Sequence, residues 1–225
     1  MGFRDRAGLT LLDYPRPSLA VDVALLTVRG DERRAKLVVL VLERSSREWS
    51  LPGTFVHQRE RLREAALRAL AAKAGVRGRE PAQLRVFDDP ERDWRGWVVS
   101  AAHVDLVAVE ALPDRLAPGC RLAPVGGDPV RVEVDGNPVR LAFDHDGIVA
   151  EAVRWARAEY AERPDPHRLL GEEFTLYELR RVHEAVLGRE LQKDAFRRGM
   201  EARVVETGEV RRGTVGQPAR LFRRV

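Results

Sequence analysis

The sequence that decides the fold is a loop followed by a helix, and residues 51–76 read LPGTFVHQRERLREAALRALAAKAGV. The Pro52–Gly53 pair near the start of this stretch predicts a turn. From Glu60 to Ala74 the residues are dense in Ala and Leu at helical spacing, which predicts a helix with one apolar face. Gly75 follows at the position where a glycine ends many helices. A turn-rich loop that leads directly into an amphipathic helix is therefore the central local feature of the chain.

Segments with strand character lie on both sides of this loop and helix. They are residues 19–28 and 36–42 before it, and residues 84–87, 97–109 and 139–143 after it. Residues 113–136 are rich in Pro, Gly and Asp and are predicted to be irregular with short strands. A second helix is predicted from Gly147 to Glu162, with Asp146 as its N-cap. Strands mixed with helices in this way predict an α+β fold.

A domain boundary is predicted at Arg163-Pro164-Asp165-Pro166, because prolines in a polar stretch interrupt regular structure. Beyond it, Thr175 and Glu178 have the spacing of a capping box at the start of a helix that ends at Gly188. A second helix is predicted over residues 192–202, followed by two strand-like segments. Helix, turn, helix and hairpin in this order predict a winged helix-turn-helix domain over residues 164–225, after a first domain over residues 1–163.

The net charge of +4 is carried by the C-terminal part of the chain. Residues 166–225 contain 13 Lys and Arg against 9 Asp and Glu, whereas residues 1–165 contain 26 of each. Such an excess is typical of a surface that meets a polyanion, and a solvated basic tail is the alternative. One cysteine, no signal-peptide core and no long apolar run predict a cytoplasmic, nucleoid-associated protein with no membrane partner. The histidines lack metal-ligand spacing, so no cofactor and no metal are expected.

Residues 51–76 resemble the signature of Nudix hydrolases, in which a Gly-containing loop leads into a helix whose glutamates hold Mg²⁺ against a diphosphate. Leu51-Pro52-Gly53 matches the loop, Glu60 the first acid and Arg68 the arginine of that signature. The positions of the catalytic acids and of one glycine of this signature, the Nudix box, carry other residues here. These positions are Ala69, Ala72 and Lys73 for the acids, and Thr54 for the glycine.

The missing acids have a direct chemical consequence. Mg²⁺ needs anionic oxygen ligands, and an ammonium group near the site repels it. Without a metal, nothing polarises the phosphoryl group or activates the attacking water. We therefore expect no hydrolysis. The alternative is a Mg²⁺-dependent Nudix hydrolase that uses Glu60 and carboxylates outside the box, such as Asp88 or Asp89.

Residues 87–93, 174–179, 187–189 and 196–198 resemble the corresponding segments of Nudix-related transcriptional regulators of NAD metabolism, the NrtR family. The resemblance implies a Nudix-like α/β/α sandwich that senses an effector and dimerises, followed by the winged helix. It also implies a homodimeric repressor whose partners are double-stranded operator DNA and a nucleotide or sugar effector such as ADP-ribose. A protein-interaction scaffold with neither activity is the other reading.

The effector is predicted to contact Glu60, Arg68, Arg92 and Arg95. Arg92 and Arg95 suit a diphosphate because a guanidinium group presents two parallel donors to phosphate oxygens, and ion pairs with Asp88, Asp89 or Asp93 are the equal alternative. Glu60 and Arg68 can instead form a pair that pins the helix. Trp97 is expected in the core rather than stacked on a base.

The DNA is predicted to contact the second helix of the winged domain, the start of the first and the wing. The residues are Thr175, Lys193, Arg197, Arg198, Arg211, Arg212 and Arg220. Arginine can read guanine in the major groove, and lysine and further arginines neutralise phosphates. Arg197 and Arg198 are adjacent on a helix and point about 100° apart, so they should have different roles. For each arginine the alternative is a solvated side chain or one paired within its own domain.

Overall fold

The computed structural model describes residues 3–30, 35–45, 48–211 and 218–225. The strands in these residues are β1 (Ser18–Arg29), β2 (Lys36–Ser45), β3 (Glu48–Ser50), β4 (Gly53–Phe55), β5 (Ala82–Phe87), β6 (Val98–Leu106), β7 (Cys120–Gly126), β8 (Arg131–Val134), β9 (Asn137–Val139), β10 (Val204–Arg211) and β11 (Ala219–Arg224). The helices are α1 (Leu62–Ala74), α2 (His145–Glu159), α3 (Leu176–Leu187) and α4 (Lys193–Glu201). None of the helices in the described part of the chain combines the length and the apolar character that a membrane span requires.

The N-terminal half is built on one mixed sheet with the strand order β5-β6-β1-β2-β7-β8-β9. Strand β1 lies near its centre, parallel to β6 and antiparallel to β2. Because side chains alternate along a strand, Val23 and Leu25 pack on the side of α1, while Ala24 and Leu26 pack on the side of α2. Burial on both faces explains the nearly continuous apolar run of β1. The predicted α+β class and α/β/α sandwich are confirmed.

Some predicted element boundaries differ from the structure. Helix α1 begins at Leu62 rather than Glu60, which lies in the preceding loop. Helix α2 begins at His145, and its N-cap position is Asp144. The prediction of Asp146 as the N-cap was wrong: its carboxylate lies in the first turn and accepts the Leu141 amide. The strand predicted over residues 139–143 was also wrong, because β9 ends at Val139.

The C-terminal part has the predicted winged-helix order of α3, α4 and the hairpin β10-β11. The capping box is present, with the Glu178 amide bonded to the Thr175 hydroxyl and the Thr175 amide bonded to the Glu178 carboxylate. Gly188 ends α3 with φ 69°, a left-handed conformation that glycine adopts without steric cost. The apolar core of this part consists of Phe174, Leu179, Met200, Val204 and Phe222.

The two parts of the chain pack against each other. Val182 and Val186 of α3 belong to the same apolar cluster as Ala156 of α2 and the strands of the sandwich. At the predicted boundary Asp165 is fully buried, and its carboxylate accepts the Tyr160 hydroxyl at 2.7 Å and pairs with the Arg224 guanidinium. The boundary after residue 163 stays a prediction, but the segment around it is a packed joint.

His183 of α3 lies inside this joint. Its ring centroid is 5.1 Å from that of Tyr160 and 5.1 Å from that of Phe196 on α4. The Nε2 atom is buried and has no hydrogen-bond partner among the described residues. Burial lowers the pKa of His183 to about 4, because the charged imidazolium would lose its hydration there.

We expect Asp165→Asn to lower the free energy of unfolding by about 1–3 kcal/mol, because the Arg224 guanidinium then faces a neutral group in a buried joint. Asn tolerates the left-handed φ of 49° at this position, so the backbone should be kept. Urea unfolding measures the change. The control is Glu172→Gln, which removes an ion pair whose side chains are 74% and 85% exposed and should change stability by less than about 0.5 kcal/mol. Equal effects of both substitutions would contradict the role given to Asp165.

We also expect stability to fall between pH 7.5 and pH 5. The folded pKa of His183, about 4, lies below its usual value of 6.5, so the unfolded chain binds the proton first as the pH falls through that window. The contribution of His183 to the free energy of unfolding is complete well above the unfolded pKa and decreases as the pH falls toward the folded pKa. At pH 5 about 2 kcal/mol of this contribution is lost. His183→Phe keeps a ring at the position and should show a correspondingly smaller loss. Parallel urea titrations at both pH values that give the same loss for both proteins would contradict this assignment.

Candidate functional site

A cavity of about 230 Å³ lies at one end of the sandwich. It is bounded by the loop at the start of the Nudix signature (residues 51–55, called the box loop), by α1, by the 92–98 segment and by the start of α2. Its walls are unusually charged for so small a space, because four cationic and two acidic side chains line it. They are Arg44, Lys73, Arg92 and Arg95, with Asp22 and Asp93. Phe55, Phe143 and His145 supply the aromatic part of the wall. The combination suits a ligand with anionic groups and a flat ring.

Asp22 of β1 is the buried centre of this site. Its carboxylate accepts hydrogen bonds from Ser100 Oγ at 2.7 Å and from Arg92 Nη2 at 3.4 Å, and His145 Nε2 lies 3.3 Å away. Burial by itself would raise the pKa of Asp22, but His145, Ser100 and Arg92 outweigh it and lower the pKa to about 2. Asp22 is therefore ionised at neutral pH. It is a structural anion that orders the groups around it.

His145 connects Asp22 to the box loop. Its Nδ1 atom accepts the Leu51 amide at 3.0 Å, and its Nε2 atom faces Asp22. Gly53 also lies against Asp22, since a Cβ atom at this position would be 1.9 Å from Asp22 Oδ1. The glycine of the box is thus required by the close approach of the Asp22 side chain.

Arg92 lines the cavity but is saturated by protein carboxylates. Its side chain is 2% exposed, and its Nε and Nη2 atoms bond to Asp144 at 2.8 and 2.6 Å. The alternative partners Asp88, Asp89 and Asp93 were wrong for this arginine. Its main partner is 52 residues away in the sequence, which local patterns do not reveal. A ligand contact by Arg92 stays a prediction and would have to be shared with Asp144.

Arg95 forms one of the predicted ion pairs, and its contact with an effector stays a prediction. It pairs with Asp93 at 2.6 Å, yet its side chain is 42% exposed and lines the cavity. Its guanidinium carbon lies 4.7 Å from the ring centroid of Phe143 and 5.4 Å from that of Phe55. Arg44, which the sequence analysis missed, lies 4.7 Å from the Phe143 centroid as well. Arg95 and Arg44, which pairs with Glu48 at 3.4 Å and is 31% exposed, are therefore more accessible to a ligand than Arg92.

Glu60 and Arg68 form a bidentate pair, with Arg68 Nε and Nη2 each 2.8 Å from a Glu60 oxygen. The pair is direct because Glu60 lies in the loop before α1 and not two turns away on the helix. Arg68 lowers the pKa of Glu60 to about 2 and also bonds to Thr54 Oγ1 and the Phe55 carbonyl. Neither residue lines the cavity. In the structure the two residues thus stabilise the box loop, and they lie outside the wall of this cavity.

The residues at the box do not fit Mg²⁺. Ala69 and Ala72 have no ligand atoms, and Lys73 places an ammonium group in the cavity wall, where burial lowers its pKa. The remaining acids of the box region are used elsewhere, since Glu60 pairs with Arg68 and Glu64 accepts the Arg61 amide. Across the described ranges no group of three or more His, Cys, Asp or Glu side chains could hold a metal ion.

A second candidate site is a cleft of about 540 Å³ on the winged helix, between the start of α3, α4 and the start of β11. Several predicted DNA contacts line it together: Thr175, Lys193, Arg197 and Arg220. Tyr177 and Arg180 also line it and were missed, although their positions on α3 follow from the helical repeat. Arg198 is exposed outside this cleft, as expected for a neighbour about 100° around the helix.

The predicted DNA contacts differ in how far they are engaged within the protein. Arg197 pairs with Glu201 at 3.0 Å, Arg220 with Glu206 at 2.8 Å, and Arg211 with Glu178. The Thr175 hydroxyl and amide are both bonded to Glu178, so neither is open to a phosphate in this conformation. Lys193 and Arg198 are exposed, and no ion pair to either is found in the described part of the chain. Arg212 lies outside the described residues.

Trp97 was expected in the core and is instead 49% exposed, just before β6. Trp94 is 82% exposed in the same segment. The core prediction for Trp97 was wrong because β6 begins one residue later, at Val98, so that Trp97 remains in the loop.

Comparison with known proteins assigns both parts of the chain. Residues 18–124 match the model of the NUDIX domain, and residues 166–224 match that of the NrtR DNA-binding winged helix domain. The chain is 31% identical over 218 residues to the ADPR responsive transcriptional repressor NtrR of Acinetobacter baylyi, an alignment that covers 94% of this chain and 83% of that protein. It is 28% identical over 149 residues to an ADP-ribose pyrophosphatase of Methanocaldococcus jannaschii, covering 63% of this chain and 76% of that enzyme.

Among solved structures, the chain is similar to Shewanella oneidensis NrtR complexed with a 27mer DNA. The TM-score is 0.69 at 30% sequence identity, and the match covers 92% of this chain and 93% of the other. The match to the Shewanella protein therefore spans nearly the full length of both chains. The chain belongs to the NrtR family, in which a Nudix domain is joined to a DNA-binding winged helix.

Proposed function

We propose that this chain is a transcriptional repressor whose winged helix binds operator DNA, and that ADP-ribose, or a related nucleotide or sugar metabolite, releases the DNA from it. The name of the Acinetobacter relative, which aligns over 94% of the chain, supports the response to ADP-ribose. The Shewanella structure with bound DNA supports the DNA partner. In this proposal residues 1–163 sense the effector, and residues 164–225 bind DNA. A homodimer presents two winged helices to the two half-sites of an operator.

The observation that carries the effector proposal is the charge of the cavity. Arg44, Lys73 and Arg95 line it, and Lys73 stands at a position where the Nudix signature carries a catalytic acid. A diphosphate brings negative charge of its own, so direct contact with these cations can balance it without Mg²⁺. Contact with Arg95 and Arg44 leaves the buried Asp22 network intact, and these two residues, with Lys73, are the diphosphate contacts in this proposal.

A receptor without hydrolase activity follows from the same residues. Hydrolysis needs a Lewis acid on the phosphoryl oxygens and an activated water, and Ala69, Ala72 and Lys73 supply neither. The specific support for the rival function is the similarity to the Methanocaldococcus pyrophosphatase over 149 residues. An enzyme of that kind would need new metal ligands, and the nearby acids Glu60 and Glu64 already bond to Arg68 and to the Arg61 amide.

The deciding experiment is a gel shift with the DNA upstream of the protein's own gene, repeated with ADP-ribose, NAD and a small panel of sugar phosphates. We expect DNA binding that weakens steeply with salt and that ADP-ribose reverses. The same preparation is then incubated with ADP-ribose and Mg²⁺. We expect no AMP above the buffer background. Turnover of ADP-ribose together with indifference to DNA would establish the hydrolase instead.

The DNA contacts can be ranked by how free each cation is. Lys193→Ala removes an exposed cation of the cleft, and we expect weaker binding to all sequences and a salt slope smaller by about one. Arg197→Ala should cost about 1–3 kcal/mol and relax specificity at one base pair, provided that Arg197 leaves Glu201 to read a base. Arg63→Ala, which removes an exposed arginine of α1, is the control. Fluorescence anisotropy with operator and scrambled duplexes measures both effects, and wild-type behaviour of both variants would exclude α4 as the recognition helix.

A further inference from the structure

Phe143 has a backbone conformation that its side chain disfavours. Its φ is 60°, in the left-handed region, where a bulky residue is strained. The residue occupies the position just before Asp144, the N-cap position of α2. A conformation of this kind persists only where surrounding contacts hold it. The contacts that hold Phe143 are therefore informative.

The Phe143 ring is held by the groups that the proposed effector would use. The guanidinium carbons of Arg44 and Arg95 each lie 4.7 Å from its centroid, and the His145 ring lies 5.3 Å away. All of these residues line the cavity. The ring thus takes up cation–π contacts that a nucleobase or a diphosphate could replace. The ring and the effector compete for the same partners.

Helix α2 begins directly after this residue and carries any movement away from the cavity. Its start is anchored by Arg92, which pairs with Asp144, and by Asp22, which faces His145. The helix continues through Glu159, a length of roughly 22 Å for 15 residues. A movement at its first turn is transmitted along its axis, because a hydrogen-bonded helix behaves as a stiff element over this length.

The far end of α2 contacts the winged helix. Tyr160, directly after α2, is fully buried, and its ring packs edge-on against His183 of α3 at 5.1 Å. His183 in turn packs against Phe196 of α4 at 5.1 Å. A continuous series of packed rings therefore leads from the end of α2 to the helix proposed to read DNA.

We propose that Phe143 couples the cavity to the winged helix. The effector displaces the Phe143 ring from Arg44 and Arg95, the strained backbone relaxes, and α2 shifts and repositions α4 through Tyr160 and His183. The inference rests on the proposed function and adds to it the residue that senses occupancy. A ligand shifts such an equilibrium only if it interacts differently with the two states, and replacement of the ring supplies that difference.

The test measures coupling separately from binding. Operator affinity is determined by anisotropy without and with saturating ADP-ribose, and the ratio of the two dissociation constants is the coupling factor. Two variants remove the ring, Phe143→Gly and Phe143→Asn, and both new residues accept a positive φ. The matched control is Phe55→Ala, which removes another aromatic ring beside Arg95, on β4 and not on the segment leading into α2. ADP-ribose affinity is measured by calorimetry for every protein.

For both Phe143 variants we expect ADP-ribose to bind more tightly than to the wild type, because the competing ring is gone. DNA affinity without effector should stay within about threefold of wild type, and the coupling factor should fall to within about threefold of one. Phe55→Ala should weaken ADP-ribose binding and keep the wild-type coupling factor at saturation.

Three results would overturn the inference. The first is a wild-type coupling factor in both Phe143 variants. The second is loss of DNA binding by both variants without effector, which would make the ring a structural element only. The third is a wild-type protein that binds DNA with an affinity independent of ADP-ribose, and this result alone would also remove the proposed function.

Discussion

The buried carboxylate of Asp22 is the constraint on which the rest of the site depends. Moving an ionised carboxylate out of water is costly unless its oxygens are bonded to donors or opposite charges. Here the bonds come from separate parts of the chain: Ser100 of β6, Arg92 of the loop before it and His145 of α2. His145 adds the box loop through the Leu51 amide. The segments that bound the cavity are thus tied to one charge.

Helix α2 connects this buried charge to the winged helix. Helix α2 is fixed to the Asp22 network at its first turn, and its far end packs against α3. Two residues of α3, Val182 and Val186, complete the apolar cluster of the sandwich. If the winged helix were joined only by a flexible linker, a change in the cavity would not affect its position. A domain whose first helix shares the core of its neighbour cannot move without repacking that core. A packed contact of this kind has discrete arrangements, and a ligand can favour one of them.

Local sequence patterns predicted the elements that are held by local interactions. The capping box of Thr175 and Glu178, the left-handed glycine at Gly188 and the apolar repeat of α1 all lie within a few residues and were visible in the sequence. The pairing of Arg92 with Asp144 and that of Asp165 with Arg224 were not, because the partners are separated by 52 and 59 residues. The same limit explains the start of α2. Asp146 suits an N-cap by composition, yet tertiary contacts of Asp144 with Arg92 place the helix start earlier.

The charge of the box separates a receptor from an enzyme for a physical reason that the fold alone does not supply. In an enzyme, carboxylates and Mg²⁺ stabilise charge that develops in the transition state. In the proposed function, a lysine and arginines at this cavity favour the bound diphosphate itself, so that their stabilisation is present in the ground state and does not lower the barrier to hydrolysis. Binding energy that is not used for chemistry is available to shift a conformational equilibrium instead. Under the proposed function, Ala69, Ala72 and Lys73 at the positions of the acids of the signature would therefore remove catalysis and, by the same change in charge, favour a protein that responds to its ligand without consuming it.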